Sequence, residues 1–163
     1  MIRTLIVDNN VTRAGLTGRA VRELKFGATV NYALSTVQAL FYIAGILADR
    51  SKILPDIIVL TIPMPDTKGV DAVKALAESV AIHSVSIIVV NDSQECQDSM
   101  QYYKHGAAAM ISKSSDAGDY RQSVADSLSF TAMVMGLVPT QPKFLSSGQY
   151  CEPTIGQVLQ VYL

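Results

Sequence analysis

Five polar residues stand where apolar runs of the sequence end, and their side chains include groups that bind ions and phosphates. Asp8 and Asn9 follow the apolar run 4–7, Thr61 follows the run 57–60, and Asn91 and Lys113 follow two later runs. A carboxylate, two amides, a hydroxyl and an ammonium group could together bind a cation or a phosphoryl group. A single carboxylate is a poor basis for a magnesium site, because this ion seldom binds one without help from substrate phosphates. Magnesium binding is therefore expected to be weak or absent.

The other residues capable of chemistry are sparse. His83 and His105 are the two histidines, and Cys96 and Cys151 are the two cysteines. Their separation forms neither a metal-ligand motif nor a disulfide framework, and it gives no Ser-His-Asp relay. We assign no catalytic residue, no metal ligand and no cofactor, and an enzyme is the least favoured class of function. Free thiols fit a reducing compartment, so a cytoplasmic location is predicted.

The elements that must position these residues alternate between strand-like and helical patterns. Strands are predicted over residues 4–7, 28–33, 57–60, 85–90 and 107–111, and helices over 11–24, 36–47, 69–79, 93–105 and from about 116–119 to 136. This alternation is typical of a doubly wound α/β fold, with a five-stranded parallel sheet covered by helices on both faces. Functional residues in such sheets gather at the carboxyl ends of the strands. The five polar residues are therefore expected to share one edge.

The second predicted helix is unusually apolar. Ser35 is a plausible N-cap for it. Its apolar residues are all expected to be buried: Leu40, Phe41, Ile43, Ala44, Ile46 and Leu47.

The composition limits the class of protein. The chain has 163 residues, 49% of them hydrophobic and 17% charged, with a net charge of −1. The low charge argues against a disordered chain and against a basic surface for nucleic acid. It also suggests apolar surface covered in an oligomer, most simply a homodimer. The longest apolar stretch, near residues 130–138, is too short to cross a membrane.

The sequence changes character after Gly136. Residues 1–136 form the predicted domain, and residues 137–152 are interpreted as a linker punctuated by proline, serine and glycine. In the remaining segment, 153–163, an apolar stripe at helical spacing comprises Ile155, Val158, Leu159 and Tyr162. Such a stripe needs a partner surface, so the segment is expected to be the first helix of a further, truncated domain.

The order of several local motifs resembles the receiver domain of bacterial two-component response regulators, over roughly residues 2–136. The motifs are Ile6-Val7-Asp8-Asn9, the run from Pro55 to Leu60 before Thr61, Met64-Pro65, Gly69, His105-Gly106-Ala107 and Lys113. The resemblance implies a flavodoxin-like fold. It also implies a module that receives a phosphoryl group from a histidine kinase on an aspartate at the end of the third strand.

Mapped onto this chain, the receiver site is degenerate. Thr61 stands at the position of the phosphoacceptor aspartate, and Asp8-Asn9 replaces an acidic pair. Asn91 replaces the hydroxyl residue after the fourth strand, and Met110 replaces the aromatic switch residue of the fifth. Lys113 matches the family pattern. The expected result is a pseudo-receiver without phosphotransfer, which makes a partner histidine kinase doubtful.

Alternatives remain open for three of these residues. Lys113 is either a surface lysine or a retained site residue, which without the aspartate is expected to pair with Asp8. Asp8 could instead cap the following helix or brace a loop. Thr61 as a kinase target is the less favoured interpretation, because it lies at a strand end followed by Pro63 and Pro65.

Three further segments resemble the LuxR-type regulators within this family. Residues 11–16 are similar to the start of their first helix, and residues 127–137 to their fifth helix with its terminal glycine. Pro153 followed by Val158-Leu159 is similar to the opening of their helix-turn-helix domain. The resemblance implies that DNA would be contacted only through a domain beyond residue 163.

Two functions therefore compete. The first is a phosphorylation-independent regulatory module that dimerises and positions a DNA-binding domain. The second is a sensor of a small anion such as a nucleotide. The scarcity of arginine after Arg50, with Arg121 alone, disfavours the sensor, because arginine supplies the bidentate contacts that phosphates need.

Overall fold

A computed structural model of the chain describes residues 1–81, 83–91, 99–113 and 116–137. The predicted segment 153–163 and nearly all of the predicted linker lie outside these residues, as does the first half of the predicted fourth helix. Within the described residues, no helix is long and apolar enough to cross a membrane.

Five strands and five helices alternate along the chain. The strands are β1 (Ile2–Val7), β2 (Ala28–Ala33), β3 (Ile57–Ile62), β4 (Ser86–Asn91) and β5 (Ala107–Ser112). The helices are α1 (Val11–Arg22), α2 (Thr36–Ala48), α3 (Gly69–Ser79), α4 (Ser99–Lys104) and α5 (Ala117–Val134). All strand pairs are parallel, in the order β2-β1-β3-β4-β5. The doubly wound, flavodoxin-like fold class predicted from the sequence is confirmed.

The sheet separates two hydrophobic cores because alternate side chains of a strand point to opposite faces. In β3, Ile58 and Leu60 belong to the core that includes residues of α2, α3 and α4. Ile57 and Val59 belong to the core that includes residues of α1 and α5. Every residue of β3 is buried, as expected for a central strand covered on both faces.

Polar side chains cap the starts of α1 and α2. Ser35 caps α2 as predicted, since its side chain accepts a hydrogen bond from the backbone N–H of Gln38 at 3.1 Å. The N-cap of α1 is Asn10, whose side chain accepts from Arg13 N at 2.9 Å. Asp8 is therefore not the cap of this helix, which leaves its carboxylate for other contacts.

The burial predicted for α2 is wrong on one side of the helix. Ile43 and Ile46 are buried, but Phe41, Ala44 and Leu47 are exposed. The helix contacts the sheet and α3 along one stripe, and the described residues provide no element that covers the opposite side. A helix that is apolar all round does not reveal from its spacing which side will pack.

A bidentate ion pair joins β1 to the start of β3 at the amino edge of the sheet. Arg3 Nε donates to Asp56 Oδ2 at 2.9 Å and Arg3 Nη2 to Oδ1 at 2.5 Å, while Arg3 N also donates to Oδ2. Burial raises the pKa of Asp56, but the hydrogen bonds and the charge of Arg3 outweigh it, so the pKa lies below its ordinary value of 3.8.

The low pKa of Asp56 makes the pair a source of acid sensitivity. Because the folded pKa is depressed, the stabilisation is present above about pH 4 and is lost as the pH falls through the folded value. We expect Asp56→Asn to lower the free energy of unfolding at pH 6 by about 1.5–3 kcal/mol, the usual contribution of charge-assisted hydrogen bonds. The difference from wild type should shrink by pH 2.5 in urea denaturation. An equal difference at both pH values would contradict this prediction.

Candidate functional site

The register of the sheet brings the predicted site residues to one edge. Pairing of β1 with β3 ends at Val7 opposite Leu60, which places Asp8 beside Thr61. On the other side of β3, Ile62 pairs with Asn91, and Asn91 in turn pairs with the residue before Lys113. The carboxyl edge therefore collects residues from four separate parts of the chain, as the rule for parallel sheets predicts.

The carboxylate of Asp8 is fully buried and is bound by a guanidinium. Arg13 Nε donates to Asp8 Oδ2 at 2.7 Å, and Arg13 Nη2 donates to Asp8 Oδ1 at 2.7 Å. The side chain of Arg13 is 23% exposed, whereas that of Asp8 has no exposure. Two parallel charge-assisted hydrogen bonds are the strongest geometry available to such a pair. The one carboxylate among the predicted site residues is thereby neutralised by a neighbouring side chain.

The chain reaches this arrangement through a tight turn. Asp8 Oδ1 accepts a hydrogen bond from Asn10 N at 2.8 Å, and Asn10 then caps α1. Arg13 lies in the first turn of α1, so its side chain can extend back over the end of β1. The sequence pattern did not indicate Arg13 as a site residue. It could have been recognised as a cation that lies five residues after Asp8 and three residues after the helix cap Asn10.

Lys113 does not form the predicted pair with Asp8. Its Nζ donates to the backbone carbonyl of Ile62 at 3.1 Å, and its backbone N–H donates to Asn91 O at 2.8 Å. Within the described part of the chain the ion pair of Asp8 is with Arg13. Helix α1 places the planar guanidinium of Arg13, with two N–H donors, against Asp8. Lys113 instead links β5 to the end of β3. Lys113 thus positions the edge rather than neutralising the carboxylate.

Thr61 lies inside β3, one residue before its end, and is 1% exposed. No described residue accepts or donates a hydrogen bond at its hydroxyl. A hydroxyl is a weak nucleophile unless a base activates it, and Asp8 next to it is already bound by Arg13. The geometry therefore gives Thr61 neither access to solvent nor an activating group.

The two remaining predicted residues occupy opposite environments. Asn9 is exposed, next to the buried Asp8. Met110 is 6% exposed and belongs to the hydrophobic core that also contains Tyr102 and Tyr103 of α4. A buried thioether packs adaptably but has no donor group, so it cannot reproduce the hydrogen bonding of a tyrosine.

The donors at the carboxyl edge do not fit a divalent cation. Magnesium requires oxygen ligands in octahedral geometry, and carboxylates supply most of its binding energy in proteins. Both oxygens of Asp8 already accept hydrogen bonds from Arg13. Among the described residues, no group of three or more His, Cys, Asp or Glu side chains is arranged to hold a metal.

A buried hydrogen bond connects the site helix to α5. Thr17 Oγ1 donates to the carbonyl of Arg13 at 3.0 Å and lies 2.8 Å from the hydroxyl of Tyr120. Burial raises the pKa of Tyr120, so its hydroxyl stays protonated and can donate to Thr17. At the carboxyl end of α1, Arg121 of α5 forms an ion pair with Glu23. The helix that carries Arg13 is therefore held to α5 at its middle and at its carboxyl end.

Several solved structures with a similar fold are response regulators. The phosphorylated cyanobacterial phytochrome response regulator RcpA is similar with a TM-score of 0.69 and 19% identity, over 82% of this chain and 95% of that one. The response regulator domain of Thermotoga maritima CheB gives 0.67 and 20%, over 85% and 99%. A two-component response regulator of the LuxR family from Aurantimonas sp. SI85-9A1 gives 0.62 and 20%, over 80% and 86%. At these identities the likeness shows the fold alone.

The sequence also matches a known family model. No curated protein sequence matches the chain. The model of the response regulator receiver domain matches residues 4–125, which include all five strands apart from the first two residues of β1, the helices α1 to α4 and the first half of α5. The chain belongs to the family of response regulator receiver domains, which serve two-component signalling.

Proposed function

We propose that this chain is a pseudo-receiver, a receiver domain that transmits its signal without being phosphorylated. The observation that carries the proposal is the bidentate pair between Asp8 and Arg13. A receiver needs free carboxylates to bind a divalent cation, which then stabilises the charge of the transferred phosphoryl group. Here a guanidinium is bound to Asp8, the one carboxylate among the predicted site residues. The negative charge of Asp8 is therefore balanced by Arg13 and needs no metal ion to balance it.

The residue at the acceptor position supports the same conclusion. Thr61 is buried, accepts and donates no hydrogen bond at its hydroxyl among the described residues, and is part of a strand enclosed on both faces. Phosphorylation of a carboxylate yields a reactive acyl phosphate, and threonine offers no equivalent group. Met110 in place of an aromatic switch residue also removes the hydroxyl or ring that a phosphorylated receiver would reorient.

We further propose that the domain acts by association, as part of a LuxR-type transcriptional regulator in the cytoplasm. A homodimer of the receiver would bring two DNA-binding domains, one following each receiver, to paired half-sites, because protein symmetry matches the symmetry of the operator. The likeness of residues 11–16 and 127–137 to LuxR-type helices supports this assignment, and the low charge content supports a covered surface.

The phosphotransfer part of the proposal predicts an unreactive protein. Incubated with acetyl phosphate and magnesium, the chain should keep its unmodified intact mass, because no carboxylate stands at the acceptor position and the residues present do not fit the metal. Intact-protein mass spectrometry after short incubations would measure any adduct. A receiver with an intact aspartate, treated in parallel, shows that the reagent is active.

The opposite result would be unambiguous. A stoichiometric phosphoryl adduct that disappears in the variant Thr61→Val would show that the threonine is an acceptor. An adduct that survives in Thr61→Val but disappears in Asp8→Asn would identify the other candidate. Either result would contradict phosphorylation independence.

A further inference from the structure

The solvent side of α2 carries no charge, and Gln38 is its one exposed polar side chain. Four of the seven exposed residues of the helix, Val37, Phe41, Ala44 and Ala48, follow each other at spacings of four, three and four, and the other three are Gln38, Gly45 and Leu47. Phe41 is 74% exposed and Val37 is 49% exposed. This spacing is that of a seam in which two helices pack side by side. A helix that is apolar on every side is normally covered on every side.

A groove lies beside the exposed ring of Phe41 on the same side of the molecule. This shallow groove of about 490 Å³ lies at the end of α2, between the helix and the loop that follows it. Its lining includes Phe41, Gly45, Lys52 and Ile53. Gly45 has open space where a side chain would stand, and Ile53 is 67% exposed. The ring of Phe41 forms part of the wall of this groove, so the groove extends the apolar face of α2 toward Ile53.

We infer that the exposed face of α2 is the surface through which two copies of this chain associate, with the two helices antiparallel about a two-fold axis. This inference rests on the proposed function, since it names the surface of the proposed homodimer. Two-fold symmetry requires a self-complementary surface, on which each feature meets its opposite. An axis between Ala44 and Gly45 places Phe41 of one copy over Ala48 of the other. The small residues at the axis let the two backbones approach.

Charge favours the antiparallel direction. At the amino end of α2, the carboxylate of Asp66 accepts hydrogen bonds from the backbone of Thr36 and Val37. At the carboxyl end follow Asp49, Arg50 and Lys52, with a net charge of +1; Lys52 pairs with Asp49 at 3.7 Å, and both cations are exposed. In the antiparallel arrangement Val37 and Asp66 of one copy face Lys52 of the other. Antiparallel helices also bring the positive end of each helix dipole near the negative end of the other.

The size of the face sets the expected affinity. A helix of 13 residues is about 20 Å long, and its exposed apolar strip with Ile53 resembles the largest patches on monomers, roughly 300–600 Å². Standard stable interfaces bury about 800 Å² per partner. A contact through α2 alone should therefore be a reversible dimer whose population depends on concentration.

Sedimentation equilibrium of the full chain and of matched variants tests the inference. Phe41→Glu should raise the dimer dissociation constant by about ten-fold or more, because it places a charge in the centre of the apolar contact. Phe130→Glu, a similar change on the exposed side of α5, should leave the constant unchanged. Circular dichroism of each variant checks that the monomer remains folded, as expected for exposed positions.

A cross-link tests the geometry independently. In a background in which Cys96 and Cys151 are replaced by serine, Ala44→Cys lies beside the proposed axis and should form a disulfide-linked dimer under mild oxidation. Gln122→Cys, exposed on α5, is the control and should remain monomeric on a non-reducing gel.

The alternative outcomes separate this inference from the proposed function. A dimer that resists Phe41→Glu and is lost in Phe130→Glu overturns the α2 surface and keeps the homodimer. A wild-type chain that is monomeric at all concentrations overturns both. If, in that monomer, the thiol introduced by Ala44→Cys is protected from a thiol reagent and Leu159→Glu removes the protection, the C-terminal segment of the same chain covers α2 and the inference is wrong.

Discussion

Arg13→Ala is expected to lower the free energy of unfolding by about 2–4 kcal/mol, because it leaves the carboxylate of Asp8 buried without its counter-charge. The magnitude follows from the asymmetry of the pair, in which Asp8 has no exposure and Arg13 is 23% exposed. If the arginine is removed, the carboxylate that remains is buried and water cannot solvate it. If the aspartate is removed, water can reach the guanidinium that remains. Chemical denaturation at pH 7 measures the change, with Arg19→Ala on the exposed side of the same helix as control. That control should stay within about 0.5 kcal/mol of wild type.

A double-mutant cycle separates the charge effect from lost packing. In the background Asp8→Asn there is no buried charge, so adding Arg13→Ala should have a much smaller effect than it has in the wild-type protein. Equal effects in both backgrounds would mean that Arg13 acts through its aliphatic stem alone. The interpretation of the pocket as neutralised from within would then be wrong.

Gly106→Ala is the second substitution expected to be strongly destabilising, by about 2–4 kcal/mol, because it combines backbone strain with a steric overlap. Gly106 has a φ of 116°, a conformation that residues with a side chain rarely adopt. A Cβ at this position would lie 2.8 Å from the Cβ of Ala77, which has no flexible end that could move away. The residue joins α4 to β5, so a shift here would also disturb the strand that ends at Ser112, next to Lys113.

Two other glycines provide graded controls for this prediction. Gly27 also has a positive φ of 72°, but nothing lies within 4 Å of an added Cβ, so Gly27→Ala should be destabilising by only about 1 kcal/mol. Gly15 lies within α1 with open space around it, and Gly15→Ala should stabilise the protein by about 0.5–1 kcal/mol. Thermal and urea unfolding of the three variants should rank them in this order. Equal effects of Gly106→Ala and Gly27→Ala would show that the contact with Ala77 is tolerated.

The sequence predicted the sheet well, together with the position of the candidate site residues at its carboxyl edge. The bounds of β2 and α3 coincide with the predicted ranges 28–33 and 69–79, and the cap at Ser35 is confirmed. These features depend on local properties, namely hydrophobic period, β-branched runs and capping side chains. The meeting of Asp8, Thr61 and Asn91 at one edge was also predictable, since parallel strands place their carboxyl ends together.

The residues that only tertiary structure could assign are those whose roles depend on distance between elements or on the choice among equivalent partners. Arg13 and Lys113 could each pair with Asp8, and the sequence favoured Lys113. The turn at Asn10 instead places the Arg13 guanidinium against the Asp8 carboxylate. The pairing of Arg3 with Asp56 joins residues 53 apart in the sequence, and no local pattern indicates it.

The α2 helix shows the same limit for packing. Its sequence determined that a helix forms and that all of its faces are apolar, so the spacing of its residues could not distinguish Ile43, which is buried, from Phe41, which is exposed. That distinction depends on which side of the helix lies against the sheet, which is set by the connections at both of its ends. The sequence by itself thus determined the elements, their order and the chemistry at their ends. The tertiary structure decided which charges meet and which apolar face stays open, because both depend on the relative placement of elements far apart in the chain.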